Sequence, residues 1–255
     1  MELSPNTILS LYLVEVDRAD KEFDDVYYNY CTSMYDGEFT ESVSEPFGSS
    51  IKKYFANLIT AVRNFINKMK NYFSSNAREA SYIHTLNAME KSIRKAKEEG
   101  KKKVTMSDYR YIRSEYDIMV KDLKKYGKKF TKMKYTSTID IDNDLEDFSR
   151  AMDRWDKKMN RVLKSTVTVS VDDALRFVEN EKRGYTHIFD GLNECIQTID
   201  ELRHVAEETA KRVGTLGSDV IPKHVNLLRR VANAISKKIT NFASKTIAVN
   251  VLLFA

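Results

Sequence analysis

Turn-forming residues are scarce in this sequence of 255 residues. It contains 8 glycines and 3 prolines, whereas average usage would give roughly 18 and 13. A sandwich or barrel of short strands needs frequent turns, and a nucleotide-binding α/β fold needs glycine-rich loops. The scarcity therefore disfavours both classes and favours long helices with few interruptions.

Cysteines and long apolar runs are also few. Cys31 and Cys195 lie too far apart for a disulfide framework or a metal-ligand spacing, and we expect both to be small buried residues in a reducing compartment. The N-terminus lacks the pattern of a secretory signal, and no run of 18 apolar residues is present. We therefore expect no secretion through a signal peptide and no transmembrane helix.

Motifs that carry catalysis or ligand binding are missing as well. The sequence has no phosphate-binding loop, nucleophile elbow or HExxH, and its four histidines are isolated. The acidic run from Asp140 to Asp144 begins like a calcium loop, but Leu145 stands where that loop needs glycine and Ala151 where it needs glutamate. We therefore predict that the protein is not an enzyme and has no catalytic or metal site, no cofactor and no small-molecule substrate.

The sequence does contain apolar residues at helical spacing. This spacing predicts helices over 5–34, 50–73, 77–99, 107–127, 143–163, 172–213 and 223–245. The alternation in 166–171 predicts a strand, whose partner we expect at 135–141. The predicted fold class is mainly α, with long amphipathic helices in a bundle-like or extended coiled-coil-like arrangement and one short β-hairpin.

Loops are predicted where glycine, proline or polar residues interrupt these stripes. We expect loops over 35–49 and 128–140, and helix ends at Gly100 and Gly127. The chain then divides into four regions that form one or two packed domains. They are an acidic helix and loop (1–48), a basic helical region (49–134), a short helix with flanking strands (135–171), and a long helix, basic helix and apolar tail (172–255).

Charge is distributed more unevenly than the net value of +5 suggests. Residues 15–45 carry ten acids, opposed only by Arg18 and Lys21, and the helix over 50–73 is basic and amphipathic. Such a helix can lie on an anionic membrane or bind a partner, or it can pack normally with its bases against the acidic segment, which we favour. The candidate partner or membrane contacts on this helix and the tail are Phe55, Leu58, Val62, Phe65, Met69, Val251, Leu252, Leu253 and Phe254.

A second basic region spans 94–134, where fifteen bases stand against six acids, for a net charge of +9. Tyr126, Phe130 and Tyr135 lie in or beside it, and bases with aromatics can bind a phosphate backbone and stack on nucleotide bases. A solvated lysine-rich surface is the alternative that we favour, because no base-reading motif accompanies it. The candidate anion or nucleic-acid contacts are Lys101, Lys102, Lys103, Lys124, Lys125, Lys128 and Lys129.

Abundant lysine, asparagine, isoleucine and tyrosine, long helices and the lack of an enzyme motif characterise the whole chain. In this composition it resembles virion structural proteins of bacteriophages with AT-rich hosts. The resemblance implies a head, neck or tail component, assembled in the bacterial cytoplasm, that binds copies of itself or other structural proteins. Two alternatives are a membrane-active protein that uses 50–73, 223–245 and the tail, and a nucleic-acid-binding accessory protein that uses 94–134.

Overall fold

The computed structural model describes residues 4–35, 41–74, 81–184, 187–212, 219–248 and 252–253. Within these residues the protein is mainly helical with one small antiparallel sheet, which confirms the predicted fold class. The helices are α1 (Pro5–Tyr35), α2 (Glu41–Ser74), α3 (Ser81–Glu98), α4 (Tyr109–Lys132), α5 (Thr138–Val162), α6 (Val171–Gly184), α7 (His187–Ala210) and α8 (Val220–Ala248). The strands are β1 (Lys103–Ser107), β2 (Thr166–Ser170) and β3 (Leu252–Leu253), in the sheet order β2-β1-β3.

Helix α8 lies at the centre of the fold, where α1, α2, α4, α5 and α7 all contact it. Helices α1 and α2 pack on one another, α7 lies against α2 and α4, and α6 contacts both α3 and the sheet. Buried apolar side chains from all eight helices and β1 form one contiguous core. The stripe that α8 buries in it includes Val225, Leu228, Val231, Ala232, Ile235, Ile239 and Phe242.

Local capping chemistry explains where α1 begins and α3 ends. The Ser4 side-chain oxygen accepts a hydrogen bond from the backbone N–H of Thr7 at 3.2 Å, and Pro5 takes the first helical position. Gly100 follows α3 with a φ of +79°, a left-handed conformation that glycine adopts without a steric penalty. Both ends lie where the sequence predicts them.

The loop predicted over 35–49 is wrong for residues 41–49, which form the start of α2, and for Tyr35, which ends α1; residues 36–40 lie outside the described residues. Pro46 lies inside this helix, where its ring removes one backbone donor. The compensation is the burial of Phe47, whose ring stacks on Tyr30 of α1 with a centroid distance of 4.2 Å. An aromatic contact with a distant segment thus extends the helix beyond its local signals.

The loop predicted over 128–140 is also partly wrong, because α4 continues through Gly127 to Lys132. Phe130 is buried on this extension and contacts the ring of Phe148 edge to face, with centroids 5.6 Å apart. The single helix predicted over 172–213 is instead two helices, α6 and α7. The two residues between them lie outside the described residues.

The predicted strand at 166–171 is present as β2, but its partner is not 135–141. It pairs antiparallel with β1, and Thr105 lies opposite Thr168. Val104 and Met106 of β1 are buried, which gives this strand the alternation that a half-buried strand requires. The run of lysines before them conceals that alternation in the sequence.

Residues 135–141 instead form the approach to α5 and its first turn. The Ser137 side-chain oxygen accepts a hydrogen bond from the backbone N–H of Ile139 at 3.2 Å and caps the helix. Asp140 lies in the first turn, where the helix dipole favours an acid. Ile141 is the first buried side chain of the helix, so the alternating pattern here is the start of an amphipathic helix.

Helices α4 and α7 approach closely at Gly191. A β-carbon on Gly191 would lie 2.6 Å from the hydroxyl oxygen of Tyr116 and 2.9 Å from Cγ2 of Val120. The Tyr116 side chain is fully buried, and its hydroxyl donates a hydrogen bond to the Ile188 carbonyl at 2.9 Å. The missing side chain at Gly191 therefore permits the packing of Tyr116 between these helices.

We expect Gly191→Ala to lower the free energy of unfolding by about 1–3 kcal/mol, because Tyr116 must move and lose its hydrogen bond. Urea denaturation followed by circular dichroism measures the change. Gly48→Ala is the matched control: it lies in α2, where a β-carbon would meet no atom within 4 Å, and should stabilise by about 0.5–1 kcal/mol. Equal stabilisation by both substitutions would show that the close approach of α4 and α7 at Gly191 does not contribute to stability.

Candidate interaction surfaces

Helix α1 carries acids on the flank that faces α2. Glu22 pairs with the Lys53 ammonium at 2.8 Å, and Glu15 pairs with Lys68 at 3.3 Å. The hydrogen bond and charge of Lys53 lower the pKa of Glu22 below its ordinary value. The bases of α2 thus meet the acidic segment, as in the ordinary packed helix that the sequence favours. These pairs are partly solvated, so each adds little stability.

The opposite flank of α1 meets α8 through a buried guanidinium. The Arg229 side chain is 8% exposed and donates to Asp20 at 2.9 Å and to Asp24 at 2.8 Å. Its guanidinium carbon lies 4.9 Å from the ring centroid of Phe23 and 5.6 Å from that of Tyr54. Lysine cannot replace arginine at this position, because only the planar guanidinium both bonds two carboxylates and stacks on aromatic rings. Because Tyr54 belongs to α2, this one side chain joins three helices.

We expect Arg229→Met to lower the free energy of unfolding by about 2–4 kcal/mol, because Asp20, whose side chain is 18% exposed, then keeps only the longer ion pair with Lys237 at 3.6 Å. Lys53→Met removes an exposed pair and should have a far smaller effect. Urea denaturation of both variants tests the contrast. The double variant Arg229→Met with Asp20→Asn should recover part of the loss, and equal losses in the two single variants would contradict this account.

The apolar face of α2 belongs to the core, which corrects its assignment as a contact surface. Helices α1 and α7 pack on α2, and Phe65, for example, meets the ring of Tyr12 edge to face at 5.6 Å. Side chains enclosed in this way have no free face for a bilayer or a second protein. The five candidate residues, each at most 1% exposed, are Phe55, Leu58, Val62, Phe65 and Met69.

The tail predicted after residue 245 begins as the last turn of α8, which ends at Ala248, and beyond that helix only Leu252 and Leu253 are described. Their backbone forms β3, which pairs antiparallel with the edge of β1 that β2 leaves free. The other two candidate contacts in the tail, Val251 and Phe254, lie outside the described residues. Among the helices that the structure describes, none combines the length and the apolarity needed to cross a membrane.

The candidate lysines lie on two different elements. Lys101, Lys102 and Lys103 stand at the start of β1, whereas Lys124, Lys125, Lys128 and Lys129 lie in the second half of α4. Lys124 donates to Glu194 of α7 at 3.2 Å, and Lys129 donates to Asp144 of α5 at 2.7 Å. Two of the four lysines on α4 therefore already pair within the chain. Lys125 and Lys128 are exposed, with no carboxylate of the described residues within 4 Å.

A groove on the surface between α1, α5 and α8 contains a cavity of about 460 Å³. Arg230 and Lys237 form part of its rim. A second cavity of about 270 Å³ adjoins it at Lys238 and Asn241. An apolar floor with a charged rim is the composition of a protein-binding surface. The apolar side chains of the floor come from all three helices: Leu13, Leu145, Phe148, Met152 and Ala234.

His224, near the start of α8, is buried beside the ring of Tyr135, with centroids 4.8 Å apart. Burial is the main cause that lowers the pKa of His224 from 6.5 to about 4, and the positive charge of Arg212 lowers it further. Its Nε2 has no hydrogen-bond partner among the described residues. The folded protein therefore holds this histidine neutral as part of the core.

Between pH 6.5 and about 4 we expect the wild type to lose stability relative to His224→Phe by roughly 1.4 kcal/mol per pH unit. The unfolded chain binds the proton of His224 at a higher pH than the folded chain does. The stability that neutral His224 contributes is therefore complete above pH 6.5 and is lost as the pH falls towards 4. Urea denaturation across this range measures the difference. His204→Phe, at an exposed histidine 3.5 Å from Asp200, is the control, and parallel pH profiles for wild type and His224→Phe would refute the assignment.

Both cysteines are free thiols, but only one is fully buried. Cys195 is 1% exposed, and burial raises the pKa of its thiol to about 12, which makes it an inert core residue. Cys31 is half-buried on α1 and packs against the core. The expectation of a buried apolar role therefore holds for Cys195 and only partly for Cys31.

Within the described ranges, no three side chains of histidine, cysteine, aspartate or glutamate converge on a metal site. Comparison with known proteins finds no family model, no curated protein and no solved structure that matches this chain. Functional inference therefore depends on the surfaces of the chain itself, and among those described above the groove between α1, α5 and α8 combines an apolar floor with a charged rim.

Proposed function

We propose that this protein is a non-enzymatic helical structural protein that assembles with further copies of itself through the groove between α1, α5 and α8. The observation that carries the proposal is that this groove combines an apolar floor with an apolar projection beside it. Leu13 belongs to the floor, whereas Val14 and Leu11 lie on the outer side of α1 and are 57% and 39% exposed.

The projection and the groove lie on neighbouring faces of the same helix. Residues 5–14 carry no charge, so this half of α1 presents apolar side chains without the acids that follow it. An interface with two-fold symmetry requires a surface that is complementary to itself. The exposed Val14 and Leu11 of one copy can fill the groove of a second copy, whose own projection fills the first.

The particular form of assembly that we propose is a phage virion component made in the bacterial cytoplasm. Its support is the composition of the whole chain, with abundant lysine, asparagine, isoleucine and tyrosine and long helices. Other structural proteins of such a particle are further partners in this proposal. Burial of the apolar faces of α2 and α8 favours assembly over membrane insertion, because those faces are already occupied.

We expect Val14→Lys to weaken self-association about tenfold or more, because it places a cation in the apolar contact beside the basic rim. Light scattering during size-exclusion chromatography, across a concentration series, gives the mass. The wild type should exceed the 29.5 kDa of one chain, and the variant should approach it.

Tyr28→Lys is the matched control. Tyr28 lies on the outer side of the same helix, is 71% exposed, and is about 21 Å further along α1, so this variant should assemble as the wild type does. A wild type that stays a single chain at high concentration, or equal dissociation of the two variants, would refute the proposed assembly.

A further inference from the structure

A row of cations follows one face of α5 and continues just past its end, and its members have no acidic partner in the part of the chain that the structure describes. Arg154, Lys157, Arg161 and Lys164 succeed one another at steps of three and four residues, so they share a face about 15 Å long. All four side chains are exposed. Among the described residues no carboxylate forms an ion pair with any of them, whereas the neighbouring Lys158 pairs with Glu115 of α4 at 2.5 Å.

Three members of this row, Arg154, Lys157 and Arg161, line a cavity of about 510 Å³ between α4 and α5. The two helices run antiparallel, since Asp108 before α4 donates its backbone N–H to the Ser165 carbonyl after α5 at 3.0 Å, whereas Lys129 near the end of α4 pairs with Asp144 near the start of α5. Tyr111 of α4 forms the opposite wall and is 43% exposed. The cavity is therefore a groove with cations along one side and the exposed ring of Tyr111 on the other.

The helix dipole does not account for this row of bases. Cations near the end of a helix are stabilised by its dipole only within about the last turn. Helix α5 ends at Val162, so Arg154 and Lys157 lie too far from that end to benefit. Four solvated cations held at this spacing repel one another, and a bound anion would relieve that repulsion.

We propose that the groove between α4 and α5 binds single-stranded nucleic acid. The cations of α5 contact successive phosphates, and Tyr111 stacks on a base, which is how single strands are bound without base-specific readout. An acidic peptide would use the cations but would leave the exposed ring unused. The sequence-predicted lysines of α4 are not part of this site, because they lie at the other end of that helix from Tyr111.

The test is fluorescence anisotropy of a labelled oligothymidylate of about 20 nucleotides, with the full chain, at several salt concentrations. The wild type should bind with a slope of log affinity against log salt of about −3, since each phosphate contact on a single strand contributes about −0.7. Combined substitution of Arg154→Ala, Lys157→Ala and Arg161→Ala should weaken binding at least tenfold and reduce the slope by about 2. Tyr111→Leu should weaken binding roughly 5- to 100-fold and leave the slope unchanged.

The matched control removes three exposed cations from the second half of α4: Lys125→Ala, Lys128→Ala and Lys132→Ala. It changes the net charge by the same amount and should retain nearly all of the wild-type affinity. Equal loss in both triple variants would show attraction by total charge and overturn the site. Failure of the wild type to bind would also overturn it, as would binding to anionic phosphatidylserine vesicles in place of the oligonucleotide. The mass of each sample, measured in parallel, keeps this result separate from that of the assembly test.

Discussion

The fold depends on how α1 is held between two basic helices. Its acids divide between the flank that faces α2 and the flank that faces α8, and Arg229 is the most buried base among these ion pairs. This guanidinium is taken out of water, so it is stable only while Asp20 and Asp24 stay in place. The register of α1 against α2 and α8 is therefore set by charge and by stacking, in addition to apolar burial.

The ion pairs of α1 with α2 and α8 decide which basic side chains remain available to bind other molecules. Lys53 and Lys68 of α2 and Lys237 of α8 pair with acids of α1, so part of the charge of the two basic helices is neutralised within the molecule. The cations of α5 that lie outside this network are left facing solvent. Net charge along the sequence is thus a poor guide to where an anion would bind, because pairing between distant segments neutralises some bases and leaves others exposed.

Periodicity predicts most of the helices because it is a local property of the chain. Ser4, Pro5 and Gly100 mark helix ends by backbone chemistry that needs no distant partner. Phe47 and Phe130 lie beyond the reach of such local signals, since each extends a helix by packing on an aromatic ring from another segment. The row from Arg154 to Lys164 is inconspicuous in the sequence for a related reason: Asp153 and Asp156 stand among these bases, and only the structure shows that Asp156 pairs with Lys238 of α8 and that neither forms an ion pair with the row.

The sequence by itself determined that the chain is helical, that its first helix is acidic and that two later helices are basic and amphipathic. These properties follow from the spacing of apolar residues and the charge of each side chain, which do not depend on the folded structure. Only the tertiary structure decided that β2 pairs with β1, that Phe55 and its neighbours are core, and that Arg229 is the base that becomes buried. Those outcomes depend on which faces meet across long stretches of chain, and burial and pairing energies arise only when they do.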